Sequence, residues 1–214
     1  MKTSIRVRFL GLLLAGTLAA WGVLGAPALA ETEQFAIGEA GLVRYPNVQG
    51  LCPEQEPRDV YATCLQQEDV FRSARAHAKA RDKLLLVDYG ADWCIWCRVI
   101  DLYFEGRIGV QYETPTEEHA EQARQLALFL RDTFVLVHIN SDKEAEARQV
   151  LGSIGAENLV GKPIPAFIVL DPASGATERA LLEEAELPVD GSFHGYDRAK
   201  LLLELRRATA KLLN

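Results

Sequence analysis

Leu84-Leu85-Leu86-Val87-Asp88-Tyr89-Gly90-Ala91-Asp92-Trp93-Cys94-Ile95-Trp96-Cys97 decides how this chain is read. The apolar run Leu84 to Tyr89 predicts a buried strand. A Cys-x-x-Cys pair follows, each cysteine behind a tryptophan, where the strand hands over to a helix. A cysteine at a helix start lies near backbone N–H groups that have no intrahelical partner. Those groups and the aligned peptide dipoles favour an anion there. A thiolate is such an anion, so Cys94 ionises more readily than a free thiol. Cys97, one turn on, is placed to attack a mixed disulfide formed by Cys94. The spacing suits thiol–disulfide exchange.

Outward from this stretch the chain alternates between helical and extended patterns. Upstream, Glu68 to Lys83 carries Val70, Phe71, Ala74 and Ala78 at helical spacing. Downstream, Cys94 to about Glu105 sets Ile95, Val99, Leu102 and Tyr103 on one side of a helix. Gly106 to Thr116 reads as a loop, and Pro115 with Glu117-Glu118 as the start of a further helix. Phe134 to Ile139 is the next strand, and Asp142 is placed to cap a helix with Ala145, Val150 and Leu151. Ile164 to Leu170 is a strand with Pro165 at its entrance, and Thr177 to Leu182 a weaker one. Asp197 opens a final helix with Leu201, Leu202, Leu205 and Leu212. Glu31 to Gln67, punctuated by glycine and proline, reads as an extended lead-in with turns. Such alternation predicts an α/β fold, a central mixed β-sheet flanked by helices.

At the start of the chain, Lys2, Arg6 and Arg8 precede an apolar run from Phe9 to about Leu24 and a small-x-small ending, Ala28-Leu29-Ala30. This reads as a signal peptide over residues 1–30, cleaved after Ala30. An uncleaved anchor is the alternative, against which Gly11, Gly16, Gly22 and Pro27 interrupt the run. The expectation is a periplasmic or otherwise exported protein. The full chain has a net charge of −7; without Lys2, Arg6 and Arg8 it keeps 20 basic against 30 acidic side chains, a net of −10. Such a balance disfavours nucleic acid as a partner. Disulfides persist outside the cytosol, so Cys52 and Cys64 read as a structural disulfide, with a second redox pair as the alternative.

The run from Val87 to Cys97 resembles the thioredoxin superfamily, and within it the exported thioredoxin-like proteins grouped with thiol:disulfide interchange proteins. The resemblance covers roughly Val70 to Asn214. It implies a thioredoxin-like domain over residues 68–214, preceded by an N-terminal segment over 31–67. Asp88, six residues before Cys94, falls where thioredoxins keep a buried acid beneath the second cysteine. Ile164-Pro165 matches the segment that carries the family's cis-proline. Ile95-Trp96 departs from the Gly-Pro that thioredoxin has between its cysteines, which leaves redox potential and partner choice open.

With the resemblance, each residue has an expected role. Cys94 is the exposed attacking thiolate and Cys97 the resolving thiol. Asp88, buried without a cation, has its pKa raised by desolvation and accepts the Cys97 proton; a strand-end Asp reaching solvent is the plain alternative. Ile164 and Pro165 offer a backbone edge to an extended client segment. Trp93 and Trp96 rim the dithiol, with Trp96 the more exposed. His77 and His119 are expected to be solvated, His138 to pack in its strand or approach Asp88, and His194 has no assigned role. No cofactor is expected beyond the Cys94–Cys97 disulfide itself, and zinc on Cys94 and Cys97 is disfavoured because two further ligands in matching geometry are needed. The expected partners are client proteins with thiols or disulfides and an upstream thiol reductase, membrane-bound reductases included. A disulfide isomerase or chaperone, and a non-catalytic binding module of the same fold, stay open beside net reduction.

Overall fold

The computed structural model of the protein describes residues 34–110, 113–187 and 195–213. The expected signal segment and His194 lie outside the described residues. The strands are β1 Ala36–Ile37, β2 Val43–Tyr45, β3 Leu84–Gly90, β4 Phe134–Asn140, β5 Ala166–Leu170 and β6 Thr177–Ala180. They form one mixed sheet of six strands in the order β1-β2-β4-β3-β5-β6. β2, β4 and β3 are parallel; β5 pairs antiparallel with β3, and β6 antiparallel with β5. The helices are α1 Val48–Leu51, α2 Gln67–Ala80, α3 Ile95–Phe104, α4 Glu117–Thr133, α5 Glu144–Ser153 and α6 Arg198–Leu213. A parallel trio continued by an antiparallel pair, with helices on both faces, is the expected α/β fold, a central mixed β-sheet flanked by helices.

The period of two along each strand assigns the faces. Leu85, Val87, Tyr89, Val135, Val137 and Ile168 pack with Val70, Phe71 and Ala74 of α2 and Val150 and Leu151 of α5. Leu86, Leu136, Phe167 and Val169 pack on the other face with Val99 and Ile100 of α3, Leu126 of α4 and Leu201 of α6. Asp88 shares the phase of Leu86, and His138 that of Leu136. Both polar residues therefore face the α3 layer, and they are register partners across β3 and β4.

Local signals explain where α3 and α4 begin and end. The Thr116 hydroxyl accepts from the His119 N–H at 3.1 Å, capping α4. At the other end of α3, Gly106 takes φ +75°, and the N–H groups of Gly106 and Arg107 donate to the carbonyls of Tyr103 and Leu102. This is the glycine-based C-cap that closes a helix with two reversed hydrogen bonds.

Three expectations are corrected. The described part of the N-terminal segment, residues 34–67, is not an appendage, because β1 and β2 belong to the sheet and Leu42, Tyr45 and Tyr61 are buried. A boundary at residue 67 therefore cuts through the fold. Asp142 does not cap α5, whose N-cap is Lys143; its carboxylate is taken by Trp93 instead. His77 is buried rather than solvated, with its Nδ1 2.9 Å from the Tyr45 hydroxyl and its ring against Phe35.

Candidate active site

Cys94 is the N-cap of α3, and its sulfur accepts from the backbone N–H of Cys97 at 3.3 Å. The ends of β3 and α3 hold both cysteines, and both thiols are free. The Cys97 thiol, then the backbone N–H groups of Cys97 and Trp96, pull the Cys94 pKa below the usual thiol range against an opposing desolvation cost. Burial, the hydrogen bond it gives Cys94 and the charge of Asp88 push the Cys97 thiol up. The two sulfurs are thus split, one poised to ionise and the other to hold its proton.

Cys94 was expected to be exposed, yet it keeps only 4 % of its surface. It packs with Tyr61, Cys97, Val60 and Ile164 and still lines an open groove of about 940 Å³. Trp93, Trp96, Tyr89, Lys162, Pro163 and Ile164 are among the other walls of that groove. The Ile164–Pro165 peptide bond is cis, and the Ile164 carbonyl oxygen lies 3.7 Å from the Cys94 sulfur. The expected order of the tryptophans is reversed: Trp93 is 70 % exposed and Trp96 38 %. The Trp93 Nε1 donates to both oxygens of Asp142, at 2.9 and 3.2 Å.

Asp88 is buried, but not bare. Its Oδ2 accepts from the Tyr61 hydroxyl at 2.7 Å and from His138 Nδ1 at 2.9 Å. The Nε2 of His138 lies 3.2 Å from a guanidinium nitrogen of Arg44. A guanidinium only donates, so Nε2 accepts and the proton of a neutral ring sits on Nδ1, where it serves Asp88. Burial first, and the Arg44 charge with it, lower the His138 pKa against the pull of Asp88. Arg44 closes the network by pairing with Asp101 of α3 and with Glu105, which caps the end of that helix. The premise that Asp88 lacks a nearby cation is therefore corrected: Arg44 stands one residue beyond it.

Two residues of this network escaped the sequence reading. Arg44 lies on β2, and Tyr61 in the loop closed by the Cys52–Cys64 disulfide. That loop is fastened to the dithiol turn by Asp92, whose carboxylate accepts from the N–H groups of Val60 at 2.9 Å and Tyr61 at 3.5 Å. Burial raises Asp92 to about 6 against these bonds. The signal that marks Tyr61 is Gly90, the glycine that ends β3, where the Tyr61 hydroxyl approaches the backbone closely. Of the remaining histidines, His119 is part-exposed and bonds the Thr114 carbonyl away from the dithiol.

No family model matches the sequence, and no curated protein matches it. Among solved structures, the disulphide isomerase from Xylella fastidiosa Temecula1 is similar over 55% of this chain and 74% of its own, with 19% identity and a TM-score of 0.39. Among the described residues, no group of three or more His, Cys, Asp and Glu side chains is arranged to hold a metal ion. Among the same residues no helix is long and apolar enough to cross a membrane.

Proposed function

We propose that the protein is an exported thiol–disulfide oxidoreductase that reduces or exchanges disulfides in client proteins. The observation that carries this reading is the Cys94 sulfur, held by the Cys97 N–H at a helix start and opening on a groove beside the Ile164 backbone. The Cys94 thiolate attacks one sulfur of a client disulfide. A Cys94–client disulfide forms and the other client sulfur leaves as thiolate. Cys97 then gives its proton to Asp88 and attacks the Cys94 sulfur. The Cys94–Cys97 disulfide forms and the second client sulfur is released, so the client gains two electrons and the dithiol loses two. An upstream thiol reductase returns the dithiol, and no cofactor enters the cycle.

Trp93 and Trp96 supply apolar contact area at the groove, and Ile164 and Pro165 a backbone edge for an extended client. Export rests on the basic start, apolar run and small-residue ending of residues 1–30. Equilibration of the purified protein with reduced and oxidised glutathione, quenched by alkylation and read by mass, tests the reading. A reducing potential is expected. A strongly oxidising one overturns net reduction and leaves disulfide donation.

A further inference from the structure

Tyr61 lies in the segment upstream of the resemblance, yet its side chain reaches the centre of the dithiol site. It is 1 % exposed. Its hydroxyl donates to Asp88 Oδ2 at 2.7 Å. A Cβ on Gly90 would collide with that hydroxyl and stand 3.0 Å from the Cys97 sulfur. Phenol oxygen and sulfur are therefore neighbours around the space that glycine leaves open. Two donors, Tyr61 and His138, occupy Oδ2, while Oδ1 is buried and has no hydrogen-bond partner among the described residues. One oxygen is clamped and the other is left to accept.

We propose that Tyr61 is a positioning residue for the resolving step: it clamps the Asp88 carboxylate so that the free oxygen takes the Cys97 proton. This rests on the oxidoreductase reading above. The proton leaves the Cys97 sulfur for Oδ1 as that sulfur bonds to Cys94 and the client sulfur departs with its electron pair. The phenol keeps its own proton and donates to Oδ2 before and after the transfer, stabilising the ionised carboxylate that precedes it. Burial and the Asp88 charge raise the Tyr61 pKa well above the ordinary phenol value, so it stays a donor. The Cys52–Cys64 bridge and the Asp92 contacts hold the loop that presents it.

The titratable and charged groups around Asp88 and Cys97 are Tyr61, His138 on β4, Cys94 at the α3 start, and Arg44 on β2 with Asp101 on α3 and Glu105 at its C-cap. Tyr196, beside Glu186, also feels the charges of Cys94, Cys97 and Asp88. Of these, Tyr61 and His138 are the ones that donate to Asp88.

The test uses dithiobis(nitrobenzoate). Cys94 of the reduced protein releases one thionitrobenzoate as it forms the adduct, and Cys97 releases the second. The rate of the second release is followed against pH. A lost hydrogen bond to a carboxylate makes it harder to keep ionised, so Tyr61→Phe is expected to move the acid limb up by about one pH unit and slow the step about tenfold below it. An acid limb that coincides with that of the unmutated protein, whatever the absolute rate, overturns the proposal. In the unmutated protein, the Tyr61 ring carbon bearing the hydroxyl is expected to shift in ¹³C NMR across the pH range of that acid limb. A flat Tyr61 signal across that range overturns it as well, independently of how the variant folds. If the unmutated protein releases no second thionitrobenzoate from the Cys94 adduct, the oxidoreductase reading itself fails, and the proposal with it.

Discussion

His138 donates from Nδ1 to Asp88 at 2.9 Å while its Nε2 faces Arg44 at 3.2 Å, and burial, joined by that second contact, keeps the ring neutral. In the unfolded chain the ring takes up a proton near pH 6.5. Burial lowers the folded value. Folding stability is therefore full above pH 6.5 and falls as the pH drops from there toward the folded value, by up to about 1.4 kcal/mol per pH unit from this group. In His138→Gln, urea unfolding between pH 5 and 7 should lose that part of the slope. An unchanged slope would mean the ring is not held neutral.

The split between the two sulfurs predicts selective alkylation. Iodoacetamide reacts with thiolates, so a lowered Cys94 pKa makes Cys94 reactive below the usual thiol midpoint of about 8.5. Cys97, with its raised pKa and no exposed surface, should stay unmodified while Cys94 reacts. Peptide mapping after a brief pulse checks this, and equal labelling of both would remove the basis for separate roles.

The Cys52–Cys64 bridge closes a short loop, with a sequence separation of 12. Constraint of the unfolded chain by a loop of this size contributes about 3 kcal/mol. Cys52→Ala/Cys64→Ala should lower the urea-derived stability by about 2–4 kcal/mol, with Cys94 and Cys97 still interconverting between free and bridged. Loss of that interconversion at intact fold would make the bridge part of the redox chemistry.

Much of the fold could be read from the chain because its strands announce themselves. Leu84–Gly90 and Phe134–Asn140 are apolar runs bounded by turns, and α3 begins directly after Cys94, whose sulfur caps it. β1 and β2 could not be read, since two- and three-residue strands interrupted by Arg44 leave no periodicity to detect. His77 misled for a related reason: Lys79 and Arg81 near it point to solvent, while its own phase on α2 faces Tyr45. Within the site, Cys94, Cys97 and Asp88 are near in sequence and are brought together by one strand–helix junction. Tyr61 and Arg44 reach it across 27 and 57 residues to Asp88 and Asp101 respectively, and only the folded sheet brings them close.

Trp93 should matter to clients and little to the fold. At 70 % exposure its truncation removes almost no core packing, so Trp93→Ala should change stability by no more than about 0.5 kcal/mol. The KM for a disulfide-bearing peptide should rise while the glutathione potential stays put. A stability loss well beyond that would show that the Trp93–Asp142 hydrogen bonds hold the turn itself.

The most direct test is to remove the resolving sulfur and look for what accumulates. Cys97→Ser is incubated with a disulfide-bearing client peptide, quenched with acid and analysed by intact mass and peptide mapping. The expected result is a stable one-to-one adduct bonded at Cys94, in a protein whose unmutated form passes through the adduct and ends bridged between Cys94 and Cys97. No adduct at Cys94, with the unmutated dithiol unchanged by the same peptide, would contradict the account.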